Sequence, residues 1–185
     1  MGTGATCFAL VIVATTGACQ GAEAPVWGSF SSAAYRYSIQ YPASWYPFTG
    51  GGQRTPGNLD ILNFPPSERV EGVVLSEGGA EITVMPAPHG GSGIEGWIEE
   101  RTKGAGRIQR RPLTPGAGAG EGCSGAEEVI WDYEVGPNSY QTITDIFCQT
   151  RRGPFLVTLT NWKSDPDAEK YREFARRMAI SLHVW

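Results

Sequence analysis

Between Cys123 and Leu182 the chain carries three successive strand patterns and then one amphipathic helix, and this run constrains the fold more than any other stretch. Glu127 to Tyr133 alternates, with Val129, Trp131 and Tyr133 on one side. Gly136-Pro137-Asn138-Ser139 has the composition of a tight turn. Tyr140 to Thr150 returns, and Phe155 to Trp162 makes a third pass after the short Arg151-to-Pro154 link. Over Asp165 to Leu182, residues Tyr171, Phe174, Ala175, Met178 and Leu182 recur at three- and four-residue steps, so one helical face is built to be buried. Asp165 reads as its N-cap and Pro166 as its first residue, where a missing N–H does no harm. Strands joined by short turns and closed by a helix imply an α+β domain with an antiparallel sheet.

The preceding residues extend the same plan. Tyr35 to Tyr41 alternates, with Tyr35, Tyr37, Ile39 and Tyr41 on one face, and Pro42 ends it. A turn and a short pass carrying Trp45 follow. Leu59 to Phe64 and Glu81 to Met85 are further strands, each stopped by prolines. Ser92-Gly93-Ile94-Glu95 has the form of a capping box, and Ile94, Trp97 and Ile98 form an apolar stripe on the helix it opens. Arg107 to Leu113 suits a charged edge strand. Thr49 to Asn58 and Thr114 to Gly122 are Gly-rich loops.

With 185 residues, one domain is expected once a targeting segment is set aside. Residues 1–19 hold no charged side chain, and Phe8 to Ala14 is an apolar run too short to span a bilayer. Small residues before Cys19 are similar to a bacterial lipobox, which makes Cys19 the expected lipidation site; plain secretion and an uncleaved anchor are the alternatives. Residues 20–34 read as a flexible tether, with Trp27 and Phe30 placed to pack on the domain edge, and residues 35–185 as the globular domain. The localisation that follows is the cell envelope, through a lipid anchor on Cys19, or the extracellular space. Cys123 and Cys148 remain as a pair, and an oxidising compartment lets such a pair form a disulfide. Counting from the Pro137 turn puts Cys148 opposite Glu127, so the chain has to fold back at Ser124-Gly125, or shift register, for the bridge to close. Two buried free thiols are the alternative.

A net charge of −4 argues against nucleic-acid binding, which needs a basic face to displace counterions. The two histidines, His89 and His183, lie in a loop and after the last helix, and the sequence has no Gly-x-Ser-x-Gly elbow, so Ser-His hydrolysis is not indicated. Asp60, Asp132, Glu134 and Asp145 fall on strands and read as solvent-face charges of a one-sided sheet. If such carboxylates converge they offer oxygen ligands for a calcium-type ion, though no EF-hand run is present. Of six tryptophans, Trp97, Trp131 and Trp162 read as packing, whereas Trp45 and Trp185 read as exposed. Trp45, Asp132 and Asp145 are therefore the candidate ligand-binding residues. Arg107, Arg110 and Arg111 form a small basic cluster.

Tyr37-Ser38-Ile39-Gln40-Tyr41-Pro42-Ala43-Ser44-Trp45 resembles the opening aromatic-x-hydrophobic-x-hydrophobic-Pro-x-x-Trp hairpin of PsbP-like domains. The later order of a mid-chain helix, a strand hairpin, a third strand and a C-terminal helix is similar as well, and the resemblance spans Tyr35 to Leu182. It implies an α/β/α sandwich around a central antiparallel sheet. Its photosynthetic members are extrinsic photosystem II proteins acting in calcium and chloride retention. That role is not carried to this chain by fold. The expectation is a non-catalytic exported domain without a cofactor that binds or helps assemble an envelope component, with a small-ligand or metal-binding module as the alternative and an unrecognised enzyme as a third.

Overall fold

A computed structural model describes residues 24–49, 57–68, 75–86, 93–113 and 123–185. Their strands are β1 Trp27–Ser32, β2 Tyr37–Pro42, β3 Tyr46–Phe48, β4 Leu59–Leu62, β5 Ala80–Pro86, β6 Ile108–Leu113, β7 Gly125–Gly136, β8 Ser139–Thr150, β9 Gly153–Trp162 and β10 His183–Val184. The helices are α1 Gly93–Arg101 and α2 Ala168–Ser181. One antiparallel sheet has seven strands in the order β3-β4-β5-β9-β8-β7-β6, and a small sheet has the order β1-β2-β10. The domain is thus α+β, with the large sheet between α1 and α2.

Both faces of that sheet are covered. On one, Ile98 with Ile94 and Trp97 of α1 packs against Val129, Phe147 and Leu156. On the other, the α2 stripe of Tyr171, Phe174, Ala175, Met178 and Ala179 packs against Ile82, Val84, Ile146, Val157 and Leu159. The small sheet closes this second core with Tyr37 and Ile39, and the Tyr37 and Phe155 rings meet edge to face at 5.5 Å. Side chains alternate faces along a strand, so β8, which lies between β9 and β7, is buried through Ile143, Thr144, Asp145, Ile146, Phe147 and Cys148 in succession. The outermost strand, β6, is exposed over most of its length and carries Arg110, Arg111 and Pro112, the composition of a protected edge.

Four expectations are corrected here. Trp27–Ser32, assigned to the tether, is strand β1 and pairs with β2 from Trp27↔Pro42 to Ser32↔Tyr37. Its Trp27 ring stacks edge to face on Phe174 and under the Arg177 guanidinium, 4.1 Å away, so the segment gains enough contact to be ordered. Helix α2 starts at Ala168, after Asp167, and not at Pro166. The Asp165 carboxylate instead accepts the Asp167 amide at 2.8 Å in a turn before the helix. The β7–β8 ladder is irregular between Glu134 and Gly136, and this places Cys148 opposite Ala126, one residue from the turn-based register. Asp60 and Asp145, read as solvent-face charges, are buried: α1 covers Asp145 with Arg101, and Asp60 accepts from the Thr83 hydroxyl of β5 at 2.8 Å. The expected lipidation site Cys19, the expected signal over residues 1–19, the expected Ser92 cap, His89 and most of the two Gly-rich loops lie outside the described residues.

Trp45, read as exposed, is part of the core. It is 7% exposed, and its ring meets Tyr171 at 5.4 Å and Phe174 at 5.9 Å, both edge to face. Proline 42 and the turn after β2 swing it beneath α2. Trp45→Ala is expected to destabilise the domain by about 3–5 kcal/mol, measured by urea unfolding; a loss below about 1 kcal/mol would put Trp45 back on the surface.

Candidate functional site: a cleft at the rim of the sheet

Polar and aromatic side chains gather in three clusters, and two of them are used up by the fold. The first surrounds Asp145 on the α1 face of β8. Pairing sets Asp145 opposite Val129 on one side and Thr158 on the other, and Arg101 closes over them from the last turn of α1. Arg101 Nε and Nη2 donate to the two carboxylate oxygens at 2.8 and 2.9 Å, a bidentate pair. The Trp131 indole N–H donates to Oδ2 at 3.0 Å and the Thr158 hydroxyl to Oδ1 at 2.7 Å. The side chain is fully buried, and with four donors on two oxygens it has little capacity left for a ligand.

The second cluster lies on the opposite face. Glu128 of β7 is fully buried and accepts from Arg176 of α2 at 2.8 Å and from Arg111 of β6. Arg176 also reaches Glu169 and Glu173 within its own helix. At the surface Arg110 links Glu127 to Glu95 of α1, and its hydrogen bond holds the Glu95 carboxyl below its usual range. Two members of the basic cluster, Arg110 and Arg111, therefore fasten the edge strand to its neighbours.

The third cluster is open. Where the β7–β8 turn meets the end of β9, Glu77, Asn138, Ser139, Tyr140, Trp162, Lys163 and Ser164 line a cleft of about 430 Å³. Asn138 takes a positive φ of 59°, which lets the turn pass over the rim. The Trp162 indole N–H is shared between the Leu75 and Ser76 carbonyls at 2.8 and 2.9 Å, and this fixes the Glu77 turn against the strand end. Lys163 Nζ lies 5.4 Å from the centre of the Tyr140 ring and 2.8 Å from Asp132 Oδ2. Asp132 also accepts from Thr142 at 3.0 Å. The cleft thus offers an aromatic wall, a half-exposed cation, hydroxyls and a carboxylate, which suits a ligand with both a flat apolar part and polar groups.

The three predicted ligand-binding residues do not meet. Trp45 is in the α2 core, and Asp132 and Asp145 point to opposite faces of the sheet. Each carboxylate already holds a cationic side chain, so they do not form a calcium-type cage, and among the described residues no group of three or more His, Cys, Asp or Glu could hold a metal ion. Only Asp132 borders the cleft, through Lys163. The turn residues Asn138 and Ser139 and the strand-end pair Trp162-Lys163 were missed as a site. The signal for them is the register, which sets Gln141 opposite Trp162 and so carries the turn past the end of β9. Cys123 and Cys148 are separate thiols, both buried; the Cys123 thiol donates to the Gly125 carbonyl at 3.3 Å and the Cys148 thiol to the Ala179 carbonyl at 3.7 Å.

Because Asp145 is buried and charged, losing its partner costs more than losing both groups. Asp145→Ala is expected to cost about 3–5 kcal/mol, and the Asp145→Ala, Arg101→Ala double variant less than the sum of the singles by about 1 kcal/mol or more in a urea-unfolding cycle. Strict additivity would show that the pair is not what docks α1.

No family model matches the chain, and no curated protein matches it. Solved structures with a similar arrangement include the Ran-binding protein Mog1p of Saccharomyces cerevisiae, at 10% identity and a TM-score of 0.49, covering 87% of this chain and 96% of that one. A protein of Bacteroides thetaiotaomicron is 15% identical with a TM-score of 0.48; the match covers 85% of this chain and 48% of that one. The cyanobacterial PsbP (CyanoP) of Synechocystis is 16% identical with a TM-score of 0.43, over 92% of this chain and 99% of that one. A PsbP protein, from the family that the Tyr37-to-Trp45 hairpin resembles, is thus among the similar solved structures.

Proposed function

We propose that the chain is a non-catalytic binding domain of the cell envelope, exported, tethered through a lipid on Cys19, and holding a segment of an envelope partner in the cleft at the rim of the sheet. The observation that carries this reading is the contrast between the clusters. The buried carboxylates Asp145 and Glu128 are bound to arginines, while Tyr140, Trp162 and Lys163 stand around an open cleft of about 430 Å³. Tyr140 is 37% exposed, and Tyr133, next along the same hairpin, is 54% exposed. Exposed aromatics beside a polar cleft are the composition of a contact surface. The small-ligand reading uses the same cleft and differs only in the size of what enters it.

The test is capture of envelope proteins by the mature domain, with the wild-type chain compared to Tyr140→Ser and Lys163→Ala. These substitutions are near the surface, where stability changes are within about 0.5 kcal/mol, so loss of binding is not confounded with unfolding. Each is expected to weaken a captured partner by about tenfold, the loss of one contact worth about 1.4 kcal/mol. Unchanged capture by both variants would remove the cleft from the reading. Intact mass of the membrane-fraction protein checks the tether: a diacylglyceryl group on Cys19 is expected, and a mature chain beginning after Cys19 would sink it.

A further inference from the structure

The thiol pair beneath the end of α2 is independent of the cleft. Cys148 lies on the α2 face of β8, opposite Ala126, and is wholly buried. Cys123 precedes β7, and the chain turns back on itself at Ser124, whose amide and hydroxyl both donate to the Gln149 carbonyl, at 2.8 and 3.0 Å. This fold-back brings Cys123 beside the ladder and into the same buried core cluster as Cys148, where its thiol donates to the Gly125 carbonyl at 3.3 Å. Both belong to the core under α2, and Cys148 Sγ also lies 3.7 Å from the Ala179 carbonyl in the last turn of that helix. Two features make the site ready to close. The two thiols share one core cluster and each shifts the other's titration, which makes the sulfurs neighbours. The Ala179 carbonyl also accepts the Leu182 amide at 3.3 Å, so losing the Cys148 proton leaves no buried acceptor without a donor.

We infer that Cys123 and Cys148 are a disulfide-forming dithiol with divided roles, Cys123 entering the exchange and Cys148 resolving it. Cys123 keeps 5% exposure and Cys148 none, so Cys123 is the thiol nearer to an incoming disulfide. The neighbouring Cys148 holds the Cys123 thiol below its ordinary range, whereas Cys123 and burial push Cys148 up. The Cys123 thiolate attacks one sulfur of a small disulfide RS–SR, forming a Cys123–S–S–R bond and releasing RS⁻. Cys148 then loses its proton and attacks the Cys123 sulfur, forming the Cys123–Cys148 bond and releasing the second RS⁻. Two electrons pass from the dithiol to RS–SR, and the two thiol protons end on the two RSH molecules.

The full chain, purified reduced, is incubated with oxidised glutathione in its folded state, quenched with a maleimide in guanidinium and digested without reduction. The expected product is a cross-linked Cys123–Cys148 peptide free of maleimide and glutathione. Maleimide on both cysteines, or a glutathione adduct that persists on Cys123, would overturn the bridge. The division of roles is read on single variants. Cys148→Ser is expected to accumulate a glutathione adduct at Cys123 about tenfold faster than Cys123→Ser accumulates one at Cys148. Equal rates in the two folded variants would overturn it. The wild-type peptide map stands whether or not either variant folds.

Discussion

A sheet covered on both faces leaves its strands no water to satisfy a polar group, and every charge on them must be answered from within the fold. Asp145 and Glu128 are the two places where this constraint is sharpest. Each is a fully buried carboxylate, one on each face, and each is met by an arginine from the helix that covers that face: Arg101 of α1 for Asp145 and Arg176 of α2 for Glu128. The apolar stripes provide the area that holds the helices down, but apolar contact is not directional. The bidentate Arg101–Asp145 geometry is directional. It sets where along the sheet α1 sits, because sliding the helix by one turn would leave a buried charge unpaired. In the same way Arg111 and Arg176 reach Glu128 from two different elements and tie the edge strand and α2 to one point on β7.

What the sequence made legible follows from this. The β7–β8–β9 run, the β6 edge and the α2 stripe were readable because their periodicity reports burial of one face and their turns carry Gly, Pro and Asn. The second face was readable only in part: the Ile94, Trp97 and Ile98 stripe of its helix was legible, but not which strand residues it covers. Its helix, α1, has only three stripe residues, and β8 mixes Thr144 and Asp145 among its apolar residues. A one-sided sheet was the natural reading, and it sent Asp145 to solvent. Register added to the error. The irregularity between Glu134 and Gly136 moves the ladder by one residue, and that alone decides that Asp145 shares a face with Val129 and Trp131. Trp45 and β1 were misplaced for another reason: both are held by residues of α2, over a hundred positions away, and no local pattern reports such contacts.

The candidate site illustrates the same limit from the other side. Pro137 and Asn138 marked a turn, and Trp162 ended a strand, but neither fact alone implies a cleft. The cleft exists because β8 and β9 are adjacent, so the β7–β8 turn and the end of β9 emerge side by side and the Glu77 turn, held by the Trp162 indole, walls off the space between. It is a product of strand order, which lies beyond local sequence.

The division between buried and open polar groups also bears on chemistry. A group that catalyses proton transfer must exchange protons with a substrate, and so must keep a face free for it. Asp145 and Glu128 have exchanged that freedom for arginine contacts, and Asp132 for Lys163 and Thr142. Among the described residues around the cleft, what remains is a cation spread between an aromatic ring and a carboxylate, hydroxyl groups, and the edges of Tyr140 and Trp162. Such a set offers shape and charge to a ligand, and the strand ends that carry it hold its contacts in place.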